Sequence, residues 1–251
     1  MTRANGAYSW DQFDSESYFQ HYYGEPHVDD EVLVGLVSRA IARAEPAGRA
    51  LETIDIGTGP NLFPLLCALP RASRLTAWEF SASNVAWLEA ELRAPQLRPQ
   101  WSHFWRVVEA SVGGDVALPA DPLGELEACT TIRQGSVYDL PEAGWDLATM
   151  FFCAESITGD EAEFDRACAR FAGCVRPGGT VVGAFLVGSS DYEVAGRPFP
   201  ILNVSPERVR AVLEPTIRDL HCETIGLVDR EIRSGYSGML FVSGTRRDER
   251  A

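Results

Sequence analysis

In the 251-residue sequence the groups best placed for chemistry are a glycine turn and a carboxylate. Asp55-Ile56-Gly57-Thr58-Gly59-Pro60 ends one short apolar run, and Glu79 ends the next. Glycine reaches positive φ without strain and lets a ligand approach backbone that a Cβ would screen. A carboxylate at the end of the following strand accepts both hydroxyls of a ribose. Together they describe a nucleoside-binding corner.

Two ligand classes use such a corner. A nicotinamide dinucleotide wants a third glycine, so that the next helix closes on the sheet and offers its N-terminus to a pyrophosphate. After Gly59 the sequence gives Pro60-Asn61-Leu62 instead. S-adenosylmethionine has a ribose but no phosphate, and its cationic sulfonium tolerates acidic surroundings. The residues favour that cofactor; a dinucleotide-dependent oxidoreductase and a non-catalytic cofactor-binding module are the competing readings.

The elements that must position these groups are alternating strands and helices. Residues 51–56, 75–80, 145–152 and 180–187 read as strands; 61–69, 81–93 and 161–175 read as helices. A helix over 30–44, N-capped by Asp29, shows Leu33, Leu36, Val37 and Ile41 on one face and ends at Pro46 and Gly48. The fold class is α/β, a mostly parallel sheet with helices on both faces. Residues 95–128, with Trp101, Phe104 and Trp105, read as a partly helical insertion over one sheet edge with a satellite core, followed by a strand over 130–134. The Gly-, Ser- and Pro-rich stretch to Ser205 reads as irregular, and a helix over 206–213 is capped by Ser205. Strands near 222–228 and 238–243 should form an antiparallel hairpin at the edge.

With these elements in place the sequence resembles the Rossmann-like S-adenosylmethionine-dependent methyltransferases, and among them the family acting on nicotinamide, phenylethanolamine and thioethers. The likeness is carried by Phe13-Asp14, Tyr18 and Tyr22-Tyr23-Gly24; by Ile54 to Pro60; by Glu79-Phe80 and Asn84; by Cys153-Ala154-Glu155; by Arg176-Pro177-Gly178-Gly179; and by Ser189-Ser190-Asp191-Tyr192 with Gly196. These run in family order through a single domain over 1–251, with an N-terminal lid and helices in 1–47 and an acceptor-side segment in 188–205.

The resemblance implies roles. Gly57, Thr58 and Gly59 would line the methionine part of the cofactor, and Tyr18 and Tyr23 would close over it. Glu79, Phe80 and Asn84 would hold the ribose and adenine, with Ser136 and Val137 against the adenine. Glu155 stands where the amine-methylating branch has a carboxylate facing the acceptor nitrogen, so it is the candidate catalytic proton acceptor; the alternative is capping the helix near Asp160. Tyr22, Phe185, Ser189, Tyr192 and Tyr236 would form the acceptor wall, although adjacent tyrosines cannot all face one way and at least one should be structural. The sequence departs from the family at Ser136, where an Asp is common and either Asp139 substitutes or the contact is lost, and at Phe185, Ser189 and Ser234-Gly235-Tyr236-Ser237, where acidic substrate residues are missing. The expected reaction is methyl transfer to a nitrogen of a small aromatic or heteroaromatic metabolite, with sulfur or oxygen acceptors and a catalytically weak binding module as alternatives.

Composition excludes other partners. With 22 basic and 36 acidic residues the net charge is -14, which repels nucleic acid and anionic membrane. The longest apolar stretch, 180–189, falls short of the roughly 20 residues of a membrane span. The polar, acidic N-terminus suggests a cytoplasmic location. Six cysteines without a C-x-x-C pair read as free thiols, and four scattered histidines offer no metal site. The closing Arg246-Arg247-Asp248-Glu249-Arg250 run reads as a solvated tail.

Overall fold

The computed structural model describes residues 4–45, 50–114, 116–189, 192–226 and 235–248. Its centre is a seven-stranded sheet in the order β3-β2-β1-β4-β5-β9-β8. Strands β1 (Leu51–Ile56), β2 (Ala72–Glu79), β3 (Thr130–Gln134), β4 (Trp145–Phe151) and β5 (Val175–Val187) run parallel. β9 (Gly238–Arg246) lies antiparallel between β5 and β8 (Ile217–Gly226). Strand order reverses between β1 and β4, which opens a crevice beyond their carboxyl ends.

Period-two alternation divides the core into two layers. Leu147, Phe151, Val182 and Phe241 join one cluster with α2 (Val28–Ala42) and α3 (Phe63–Ala68); Ala148, Met150, Val181 and Val242 join the other with α7 (Glu161–Cys174) and α8 (Pro206–Leu213). Side-chain caps start several helices: Asp14 for α1 (Ser15–Tyr23), Ser81 for α4 (Ala82–Leu92), Asp160 for α7 and Ser205 for α8. α2 starts at Val28, with His27 rather than Asp29 at the cap position. Asp29, Asp30 and Glu31 instead fill its first turn, where acidic groups suit the helix dipole. Asn61 stays outside α3 because its Oδ1 accepts the Phe63 N–H at 2.9 Å. Pro46 and Gly48 lie outside the described residues.

The insertion forms α5 (Pro99–Val112) and α6 (Pro122–Cys129). Trp101, Phe104, Trp105 and Val108 share one face of α5 and belong to the main core beside Phe19 and Phe63, not to a satellite. The stretch expected to be irregular holds a hairpin, β6 (Tyr192–Val194) and β7 (Arg197–Phe199), turned by Ala195 and Gly196 at φ 49° and 74°. Positive φ at both turn residues matches the twist of short antiparallel strands. β8 begins five residues earlier than expected, at Ile217, and residues 227–234 are outside the described set. The C-terminal arginines are docked: Arg246 donates to the Gly173 and Val175 carbonyls, and Arg247 to that of Glu214. Glu249 and Arg250 lie outside the described residues.

Candidate active site

The turn after β1 is built so that only glycine fits. Gly57 and Gly59 adopt φ +64° and +60°, and a Cβ on Gly57 would lie 2.3 Å from Cys153 Sγ. Thr58 Oγ1 donates to the Asp55 carbonyl at 3.2 Å. The Gly59 N–H donates to Glu79 Oε2 at 2.8 Å, while Glu79 Oε1 accepts from the Ser81 N–H at 2.7 Å and Asn84 Nδ2 at 3.3 Å. Burial raises the Glu79 carboxyl above its ordinary range, against the pull of these donors. Beneath the turn, burial pushes Asp55 up to about 7 in spite of the Thr149 hydroxyl at 2.6 Å. Burial also holds the Cys153 thiol well above 9, so it is an unreactive wall.

A cleft opens over this turn. One end is lined by the glycine turn, Glu79, Asn84, Ser136 and Val137, with the Phe80 ring 48 % exposed at its rim. These groups fit S-adenosyl-L-methionine: a carboxylate for a diol, apolar Val137 and Phe80 for a flat base, and polar backbone for an amino acid. They do not fit a pyrophosphate. The Gly59, Asn61 and Phe63 amides are turned inward onto Glu79, the Gly59 carbonyl and Asn61, leaving none of the three for an anion.

The other end is aromatic. Trp10, Phe13, Tyr18, Phe152 and Tyr192 line it, and Phe199 sits behind them with ring centroids 5.0 Å from Phe13, 5.2 Å from Trp10 and 5.7 Å from Tyr192. The N-terminal segment crosses this end: Asn5 donates its N–H to Glu163 at 2.8 Å and its Nδ2 to the Ile157 carbonyl at 3.0 Å, and the Trp10 indole N–H donates to the Asn5 carbonyl. Phe152, just past β4, sits at φ +53°, a conformation bulky residues rarely adopt. Such strain persists where surroundings over-determine it, as at binding sites.

The structure gathers most of the expected residues and separates some. Tyr18, Tyr23, Gly57, Thr58, Gly59, Glu79, Phe80, Asn84, Ser136, Val137 and Tyr192 all line the cleft. Tyr23 is held by Asn61 Nδ2, which donates to its hydroxyl at 3.0 Å. Tyr22 packs instead in the main core, 4.4 Å from the Tyr18 ring, and is the structural member of the three. Glu155 is 0 % exposed and lies behind the wall; its Oε1 accepts the Leu186 N–H at 2.8 Å and its carbonyl accepts the Leu202 N–H. Phe185 points into the layer with α7, against Phe164, because its neighbours Ala184 and Leu186 take the opposite face of β5. Ser189 and Tyr236 are buried outside the lining. Ser136 Oγ accepts the Tyr138 N–H, and Asp139 does not line the cleft. Ser190, Asp191 and Ser234 lie outside the described residues.

Sequence reasoning missed Asn5, Trp10, Asn61 and Trp78. Trp78 packs over Gly135, where a Cβ would fall 2.4 Å from the indole, a contact between residues distant in sequence that no local pattern marks. Asn5 and Trp10 reach the cleft only through contacts distant in sequence. Among the described residues no group of three His, Cys, Asp or Glu is placed to hold a metal ion, and no helix is long and apolar enough to cross a membrane.

Comparison with known proteins agrees with this geometry. Among solved structures, the DhpI–SAH complex superposes with a TM-score of 0.58 at 15 % identity, covering 96 % of this chain and 94 % of that one. The N-methyltransferase NodS from Bradyrhizobium japonicum, bound to S-adenosylhomocysteine, superposes with a TM-score of 0.52 at 10 % identity over 95 % of each chain. By sequence, the phenylethanolamine N-methyltransferase of Macaca mulatta is 28 % identical over 243 residues, 87 % of this chain and 83 % of that one. The indolethylamine N-methyltransferase of Mus musculus is 23 % identical over 197 residues, 75 % of this chain and 74 % of that one. The sequence pattern of the NNMT/PNMT/TEMT family matches residues 3–247. The chain belongs to that family, and is an S-adenosyl-L-methionine-dependent methyltransferase.

Proposed function

We propose that the protein transfers a methyl group to a nitrogen of a small, flat aromatic or heteroaromatic metabolite. The observation that carries this reading is the composition of the acceptor end. Five rings line it, and among the described lining residues Glu79, at the cofactor end, is the only charged side chain. Such a wall suits an uncharged planar molecule held by stacking and edge contacts. Nitrogen as the acceptor is supported by the names of the relatives.

When bound, S-adenosyl-L-methionine supplies an electrophilic methyl on a sulfonium. The chain's part is alignment and exclusion of water. The glycine turn and Glu79 would fix the cofactor, and Trp10, Tyr18 and Tyr192 would orient the acceptor and shield it. A nitrogen that is unprotonated near neutral pH needs no base. Glu155 then acts as a positioning residue: its carboxylate ties the loop after β4 to β5, while Ser156 beside it lines the cleft.

The test is transfer of labelled methyl from S-adenosylmethionine across pyridines, anilines, arylalkylamines, thiols and phenols. Label on a pyridine or aryl nitrogen is expected. Label confined to thiols or phenols would overturn the nitrogen reading, and tight S-adenosylhomocysteine binding with no transfer would favour a non-catalytic module. Glu155→Gln should keep its turnover within about threefold with an unchanged pH profile, since glutamine retains an acceptor for the Leu186 N–H. A new pH dependence in that variant would restore Glu155 as the proton acceptor.

A further inference from the structure

Ser15 is the first residue of α1 and is buried. Its hydroxyl donates to Asn84 Oδ1 at 2.7 Å, and the other end of the same amide, Nδ2, donates to Glu79 Oε1 at 3.3 Å. Glu79 Oε2 in turn accepts the Gly59 N–H at 2.8 Å. A chain of hydrogen bonds thus runs from α1, through the carboxylate of Glu79, to the glycine turn. A parallel tie runs through Ser81: its hydroxyl donates to the Trp10 carbonyl at 2.7 Å, and its N–H donates to Glu79 Oε1. Asn84 and Ser81, both donors to Glu79, thus also bond to α1 and to the N-terminal segment before it.

An asparagine amide offers oxygen at one end and two N–H donors at the other, and its orientation follows from its neighbours. The carboxylate demands the N–H end. The oxygen must then face Ser15, whose hydroxyl is a donor there. We propose that Ser15 is a positioning residue for cofactor binding: it locks the Asn84 amide in the orientation that holds Glu79, and so couples the docking of the first turn of α1 to seating of the cofactor. Coupling of this kind is reciprocal, so cofactor that is held better when the first turn of α1 is docked also steadies that turn.

Removing the hydroxyl leaves Asn84 Oδ1 buried without that donor and the amide free to turn. Calorimetric titration of the full chain with S-adenosylhomocysteine should show a Kd about tenfold weaker for Ser15→Ala. Ser15→Thr, which keeps the hydroxyl, should bind within about twofold of the parent. Ser15→Pro suits the first helical position and also lacks the hydroxyl, so it repeats the test if the alanine variant folds poorly. The double variant Ser15→Ala with Asn84→Ala should bind no more weakly than Asn84→Ala alone, because both act on one chain of bonds. Hydrogen exchange over residues 15–23 should slow on adding S-adenosylhomocysteine to the parent and the threonine variant, and less so in the alanine variant. Parent-like affinity in Ser15→Ala and Ser15→Pro, or full additivity with Asn84→Ala, would overturn the proposal.

Discussion

The two halves of the cleft are made of different material. The cofactor half stands on the carboxyl ends of β1, β2 and β4 and the turn after β3, and its polar groups are aimed by backbone bonds such as Gly59 N–H to Glu79. The acceptor half is made of the N-terminal segment, α1 and the β6–β7 hairpin, joined by ring contacts such as Phe13 with Phe199 and Trp10 with Phe199. A half held by the sheet ladder tolerates little change. A half held by side-chain packing can have one ring exchanged while the sheet stays as it is, which is where selectivity for an acceptor can vary.

That contrast can be broken most sharply at Gly57. Gly57→Ala combines positive φ with a clash at Cys153, so S-adenosylhomocysteine binding should weaken by roughly 100-fold, about 3 kcal/mol. Near-normal binding would show that the cofactor half is softer than described. Glu79→Ala should weaken the same binding by about 1–3 kcal/mol, read by calorimetry, through lost hydrogen bonds to ribose and turn.

Asp55 probes the same half through pH. Its folded pKa of about 7 lies above the ordinary 3.8, so the folded chain keeps a proton there that the unfolded chain has released. The stability this group contributes is full below about pH 4, is lost as pH rises toward 7, and changes little above that. Asp55→Asn should remove the loss, so between pH 5 and pH 8 urea unfolding should show the variant losing less stability than the parent, by on the order of 2 kcal/mol. Equal losses in both would discard this role for Asp55. The smallest effect on cofactor is expected from Phe199→Ala. It should leave the S-adenosylhomocysteine Kd within about threefold while making residues 4–14 more open to protease, since the ring is a hub of the acceptor half. A cofactor loss as large as that of Glu79→Ala would erase the distinction between the halves.

The same contrast explains what could be read from the sequence. The bounds of β1 and β3, the glycine turn and the placement of Glu79 follow from local patterns, because a strand end and its turn are contiguous. The face that Trp101, Phe104 and Trp105 present was visible in their spacing, but its partners, α2 and α3, were not. Tyr22 and Tyr23 are adjacent and chemically alike; which one meets the cleft follows from contacts distant in sequence, among them the bond from Asn61 to Tyr23. Glu155 sits between lining residues Cys153 and Ser156, yet the backbone turn directs it inward to the Leu186 amide. The hairpin of β6 and β7 is three residues a side, too short for periodicity to reveal, and only Gly196 marked it.

The placement of Trp10 and Trp78 has an optical consequence. Both indoles are half-buried in the cleft wall, Trp78 on β2 beside Glu79 and Trp10 among the acceptor rings, whereas Trp101, Trp105 and Trp145 are buried elsewhere and the half-buried Trp87 lies outside the cleft, its indole N–H donating to Glu16. Intrinsic tryptophan emission therefore carries a native, label-free signal from each half. Replacing one of the two indoles by phenylalanine would leave the other as the cleft reporter above a background from the four tryptophans elsewhere, so that arrival of cofactor and arrival of acceptor could be timed separately in a stopped-flow experiment.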